Sequence, residues 1–322
     1  MKKRRVMIVS PALAPANNGN WQTAWRWSRM LHPDFDTQIA SQWDGEDAAV
    51  LIALHARRSA ASVERWSQAN GPRGLVVVLT GTDLYRDIQS DASAQRSLQV
   101  AGRLVVLQEL GPMALPVAMR RKTTVVFQSA PRRLTLPKTT RHLRALMVGH
   151  LRDEKDPLTY VRAARRLADR SEILFDHIGE ALDPELGRTC SAAGAQLRHY
   201  RWLGGLAHGV TRARIQRAHV LVHASMMEGG AHVILEAVQS GTPVLASRID
   251  GNVGMLGQDY AGYFALGDDA GLASLLRRCH DDGDFLPYLR RQCQARAQLF
   301  EPARERGLLL QLANSLCAGR GE

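Results

Sequence analysis

Between Val220 and Asn252 the chain spells out a complete β-α-β unit, and this stretch restricts the fold more than any other. Val220-Leu221-Val222 is a short apolar run without polar alternation, as expected of a strand buried on both faces. A polar turn leads to Glu228-Gly229-Gly230. A helical pattern then runs from about Gly230 to Gln239, with Gly241 as its stop signal. Thr242-Pro243 turns the chain into the next apolar run, Val244-Leu245-Ala246. Strand, helix, strand in this order predicts an α/β fold with a parallel sheet.

The same grammar recurs on both sides. Apolar runs at 6–9, 50–54, 74–79, 103–107, 123–127, 144–148, 172–178, 197–203 and 261–266 read as further strands. Helical segments are predicted from Asn20, as a cap, to Leu31, over 111–119, and from Ala303 to Cys317 behind Glu301-Pro302. Trp21, Ala24 and Trp25 lie at helical spacing, which predicts core packing. Residues 131–141 are polar, basic and proline-containing and read as a linker. A chain of 322 residues is long enough for two cores. The expected division is a first Rossmann-like domain over 1–137 and a second over 138–300, followed by a last helical segment over 301–322.

Composition narrows the class. The net charge of +11 is uneven: residues 1–140 hold 19 Lys+Arg against 10 Asp+Glu, the remainder 23 against 21. A basic first half attracts an anionic partner. No helix-turn-helix, zinc or aromatic-platform pattern accompanies it, so nucleic acid is not the expected partner. The four cysteines have no metal-like spacing and read as free thiols of a reducing, cytoplasmic compartment. The basic start followed by Val6-Met7-Ile8-Val9 imitates a signal peptide, but Ser10-Pro11 cuts the apolar run short. No stretch approaches the ~20 apolar residues of a spanning helix, so no stable membrane insertion is expected. There is no dinucleotide fingerprint and no Walker A loop. No cofactor and no metal are expected.

Candidate site residues fall at strand ends, where parallel sheets bind ligands. Gly229, Gly230 and Ala231 form a glycine-rich helix entrance suited to an anion. Glu228 and Glu236, eight apart, are carboxylates suited to sugar hydroxyls and to a vicinal diol such as a ribose, with Glu236 about two turns into the helix. Asn18, Gly19 and Asn20 make a second helix entrance. His55, Arg57 and Arg58 follow one strand directly and are the first candidates for an anionic acceptor. Thr80, Gly81 and Asp83 follow another; Asp83 suits either a sugar hydroxyl or a helix cap.

The pattern Glu228-Gly229, Glu236-Ala237, Gly241, Pro243-Val244 resembles the donor motif of the retaining GT4-like glycosyltransferases. That resemblance implies the GT-B fold: two Rossmann-like domains with parallel sheets facing an interdomain cleft, and a final helix crossing back to the first domain. It implies a UDP-sugar donor. Gly149-His150-Leu151-Arg152-Asp153-Glu154-Lys155 is similar to the family's G-R-L-x-x-E-K, with His150 in the arginine position. Lys155 and Arg152 are thereby implied as the cations on the departing diphosphate. Glu228 would hold the transferred sugar and Glu236 the ribose. Trp202 and Leu203 stand where the family's backbone pairs with uracil. Five segments, 10–24, 51–60, 79–88, 148–157 and 227–238, resemble more narrowly the selenosugar synthases of selenoneine biosynthesis. The H-A-R-R block at 55–58 and the T-G-T-D-L-Y block at 80–85 carry that likeness. It implies selenophosphate as acceptor, UDP-glucose or UDP-N-acetylglucosamine as donor, and a hand-over of product to a downstream enzyme of that pathway. An ordinary GT4-like transferase acting on a lipid or carbohydrate of the envelope is the alternative.

Overall fold

The computed structural model describes residues 3–13 and 19–318. The chain divides into two compact units, Met1–Gln128 with Pro302–Glu322, and Ser129–Glu301. Residues 131–141 therefore belong to the second unit.

The first unit is built on six strands: β1 (Arg5–Val9), β2 (Asp36–Ala40), β3 (Val50–Leu54), β4 (Leu75–Val78), β5 (Arg103–Val106) and β6 (Thr123–Val125). They form one sheet in the order β2-β1-β3-β4-β5-β6, and every pair is parallel. β3 and β4 are buried at every residue because helices cover both faces, which explains the uninterrupted apolar runs. One face packs on Trp66, Leu98 and Trp43, the other on Trp27, Leu31 and Leu312.

Helix Gly19–Leu31 buries Thr23, Ala24, Trp27 and Leu31. Trp25, predicted to be core, is 44% exposed, with the Arg29 guanidinium 4.9 Å over its ring. The phase set by Ala24, Trp27 and Leu31 turns Trp25 outward. Asn20 is the second residue of this helix and not its cap. The predicted helix over 111–119 is a 3-10 turn, Gly111–Ala114, and a short helix, Val117–Arg120. Pro116 separates them, because its ring excludes helical continuation.

The last helix, Pro302–Ala318, is part of the first unit. Leu309, Leu312 and Ala313 pack in its core. The fully buried Glu305 carboxylate accepts from Trp27 Nε1 at 2.6 Å and from Arg26 Nε at 3.1–3.2 Å. Glu305→Ala removes the carboxylate that both side chains donate to, and a loss of about 3–5 kcal/mol in chemical denaturation is the expected outcome.

The second unit carries β7 (Leu143–Val148), β8 (Ile173–Ile178), β9 (Tyr200–Trp202), β10 (Val220–His223), β11 (Val244–Ser247) and β12 (Tyr263–Phe264). Their order is β12-β11-β10-β7-β8-β9, again all parallel. The strand predicted over 197–203 covers only Tyr200–Trp202, because the preceding helix runs on to Gln196.

Candidate active site

In each sheet the strand order reverses at one place, where neighbouring loops leave in opposite directions and open a crevice at the strand C-terminal ends. In the second unit this is between β7 and β10; in the first it is between β1 and β3. Among the described residues, His55 (φ +73°) and Asp156 (φ +43°) are the non-glycine residues with left-handed backbone. One follows β3 and the other follows β7. Side chains rarely tolerate that conformation, and it tends to persist where a loop is held for function.

At the second reversal, Lys155 ends a 3-10 turn, Asp153–Lys155, on the loop after β7. Its Nζ donates to Glu228 Oε1, on the loop after β10. Met226 N–H donates to the Glu154 carbonyl at 2.9 Å and ties the same two loops together. His223, the last residue of β10, places Nε2 3.2 Å from the Glu228 oxygen, without hydrogen-bond alignment. Burial alone raises a carboxyl's pKa, but Lys155 and His223 outweigh it and hold Glu228 well below the usual carboxylate range. Burial keeps His223 below its ordinary value. The arrangement is a cation and an anion locked together at a crevice mouth.

The helix after β11, Asp250–Leu256, backs this pair. A Cβ on Gly251 would lie 2.0 Å from the Glu228 carbonyl oxygen. Gly251→Ala must therefore displace the Glu228 backbone. A loss of about 1–3 kcal/mol is expected, read as a lower Tm together with weaker nucleotide binding.

Glu236 is one turn into helix His232–Val238, not two, because the helix starts at His232 and not at Gly230. Its Oε1 lies 2.6 Å from His208 Nε2, 3.3 Å from His232 Nδ1 and 3.6 Å from Arg212 Nη1. Burial opposes ionisation here as well, yet the two histidines and Arg212 bring the carboxyl down to about 2. Gly229 and Gly230 form the turn before the helix; the Ala231 N–H is engaged by Met255 Sδ at 3.1 Å.

The neighbouring candidates are placed differently. Trp202 donates its indole N–H to the Gly179 carbonyl at 2.8 Å, and the Leu203 N–H goes to the His177 carbonyl at 2.8 Å. His150 Nδ1 accepts from the Glu180 N–H at 3.1 Å and so substitutes for no cation on that side. Arg152 keeps 46% of its side chain exposed, with Nε 3.9 Å from Glu154.

At the first reversal, Asp83 is fully buried and ties two strand ends together. Oδ1 accepts from Thr80 N–H and Oγ1, each at 2.7 Å, and Oδ2 accepts from Ala56 N–H at 2.8 Å. His55 lies 3.9 Å from Asp83 and 3.8 Å from Asp87, with Nε2 3.3 Å from Thr82 Oγ1. Burial drives both groups toward neutrality, raising Asp83 and lowering His55. Arg57 is bound to Asp87 at 2.8 Å. Arg58 is exposed and, among the described residues, has no carboxylate partner. Gly81 opens the helical turn behind Thr80. Gly19 begins the helix after β1, and Asn18 lies outside the described residues.

His208, Arg212, His223, His232 and Asp87 were not foreseen as site residues. His232 stands four residues before Glu236 and His223 ends a buried strand, so both had a signal in spacing. His208 and Arg212 reach Glu236 from a separate helix, His208–Arg217, and had none. Among the described residues, no group of three or more His, Cys, Asp and Glu is placed to hold a metal, and no helix is long and apolar enough to cross a membrane.

Two doubly wound parallel sheets, with an ion pair at the reversal of the second, define an α/β protein with its candidate site at the strand ends. The sequence pattern of the family described as glycosyl transferases group 1 matches residues 133–298, about half of the chain. The chain belongs to that family and is a glycosyltransferase. Its fold is that of Anabaena HepE in complex with UDP-glucose, with a TM-score of 0.76 at 14% identity over 97% of this chain and 100% of that one. It is similarly close to the sucrose-phosphate synthase of Thermosynechococcus elongatus, with a TM-score of 0.78 at 14% identity over 98% and 100%. A glycosyltransferase of Rickettsia africae gives 0.72 at 13% over 98% and 99%. The GT-B architecture expected from the sequence is the architecture of these neighbours.

Proposed function

We propose that the chain transfers a sugar from a UDP-sugar, UDP-glucose or UDP-N-acetylglucosamine, to the selenium of selenophosphate. A selenium lone pair forms the bond to the anomeric carbon. The carbon–oxygen bond breaks, and its electron pair leaves with the β-phosphate of UDP. Water then cleaves the phosphorus–selenium bond, giving phosphate and the selenosugar.

The donor half rests on the second unit. Lys155 and Arg152 supply the charge for the departing diphosphate, with the N–H groups of Gly229 and Gly230. Glu228 takes the sugar and Glu236 the ribose. For either carboxylate the substrate must compete with partners already in place, Lys155 for one and His208 for the other.

One observation carries the acceptor half: the base available at the end of β3 is shut away. The His55 side chain is 2% exposed and faces two carboxylates and a threonine hydroxyl, so it offers a substrate no proton-accepting nitrogen. An alcohol must lose its proton as it attacks, whereas a selenium anion has none to lose. Arg58 remains to receive the phosphate part. The His55–Asp83–Asp87 constellation also favours a second reading, an envelope transferase with an alcohol acceptor, if His55 opens to substrate. Flotation with anionic vesicles separates the two. The selenophosphate reading expects the protein to stay unbound, and tight vesicle binding together with UDP release driven by a lipid alcohol overturns it.

A further inference from the structure

In the second unit a hollow of about 490 Å³ lies between the sheet and helix His208–Arg217, lined by Arg144, Leu146, Asp176, Val210, Arg214 and Arg217 together with Gly209 and Ala213. That volume is in the range of small-molecule sites.

Its charge is out of balance. Asp176, 2% exposed, is the one carboxylate in the lining. Arg144 Nη1 reaches its Oδ2 at 2.8 Å, and Arg201 grips its Oδ1 through Nε at 2.9 Å and Nη2 at 2.7 Å. Both oxygens are thus taken before Arg214, whose Nη1 stands 3.9 Å away. Arg217, one turn further along the same helix face, has no carboxylate partner among the described residues. Three guanidinium groups therefore share one carboxylate, and Arg217 adds a further positive charge to the lining. Like charges held together in a partly buried space repel, and an added anion relieves them.

The hollow is separate from the Lys155–Glu228 crevice. Arg144 is the second residue of β7 and Asp176 pairs in register with Leu146, whereas Lys155 and Glu228 follow strand ends. At about 3.3 Å per residue, Arg144 lies roughly 13 Å back from the end of β7.

We propose that this hollow is a second anion site, taking a small phosphate monoester whose phosphate is held by the forks of Arg214 and Arg217. Two planar guanidinium groups match a tetrahedral oxyanion. Leu146, Val210 and Ala213 give an apolar floor for the organic part.

The test is calorimetric titration of the full chain with inorganic phosphate and with glycerol 1-phosphate, at ionic strength held constant with chloride, with and without saturating UDP. The expected result is saturable binding of both, tighter for the ester, unchanged by UDP and at least about tenfold weaker in Arg214→Gln/Arg217→Gln. Equal affinity for both probes supports the oxyanion site and removes the organic part from the proposal. Displacement by UDP, identical binding in the variant, or heats equal to those of chloride overturn the site. Arg217→Gln alone, at an exposed position, gives the same reading in smaller measure if the double variant fails to fold.

Discussion

Lys155→Ala is expected to lower kcat by about 10²–10³-fold with a smaller change in donor KM. Charge on the departing diphosphate grows as the glycosidic bond breaks, so a cation placed there acts mainly in the transition state. The same change removes the partner of a buried carboxylate. Loss of one side of such a pair costs about 3–5 kcal/mol, so stability must be read beside rate. Lys155→Met/Glu228→Gln, compared with Glu228→Gln alone, separates the two effects: it restores stability, and its kcat stays below that of the single variant. pH adds a second readout. The folded-state pKa of Glu228 is depressed, so its contribution to stability is present above the unfolded value of about 4.3 and is lost only as pH falls through the lower folded value. The Tm difference between wild type and Glu228→Gln is therefore expected to hold from pH 7 to pH 5 and to shrink on further acidification. A difference that vanishes between pH 7 and pH 5 contradicts the ion pair.

Glu236→Ala is expected to weaken UDP-sugar binding by about 10–100-fold, because hydrogen bonds to a charged carboxylate are worth about 1.5–3 kcal/mol. It also leaves Arg212 without its carboxylate; this arginine is 4% exposed and sits 3.6 Å from Glu236. Glu236→Gln keeps an acceptor for the ribose and shows a smaller rise in KM. Titration of UDP into each variant measures the effect directly. Affinity unchanged in Glu236→Ala removes the ribose assignment.

The fold was legible because buried parallel strands announce themselves. Val50–Leu54 and Val220–Val222 are apolar without alternation, and only a sheet covered on both faces needs that. β2, Asp-Thr-Gln-Ile-Ala, was missed: it is an edge strand, partly exposed along its length, and carries no apolar run. The helix expected over 111–119 is two short pieces, because Pro116 interrupts it. Glu228 and Glu236 were singled out by their spacing behind a readable strand, and Lys155 by its place in a pattern similar to the family's G-R-L-x-x-E-K. Their partners were less so. His208 and Arg212 come to Glu236 from a helix far away in sequence, and only packing brings those elements together. Trp25 and Trp27 make the same point within one helix: two residues apart, they take opposite environments according to a phase that Ala24 and Leu31 fix.

The most direct measurement of the central claim is mass spectrometry of the products formed from UDP-N-acetylglucosamine or UDP-glucose with and without selenophosphate. The account predicts a sugar product bearing the selenium isotope pattern, and UDP release that requires selenophosphate. UDP release independent of selenophosphate, with no selenium in any sugar product, contradicts it.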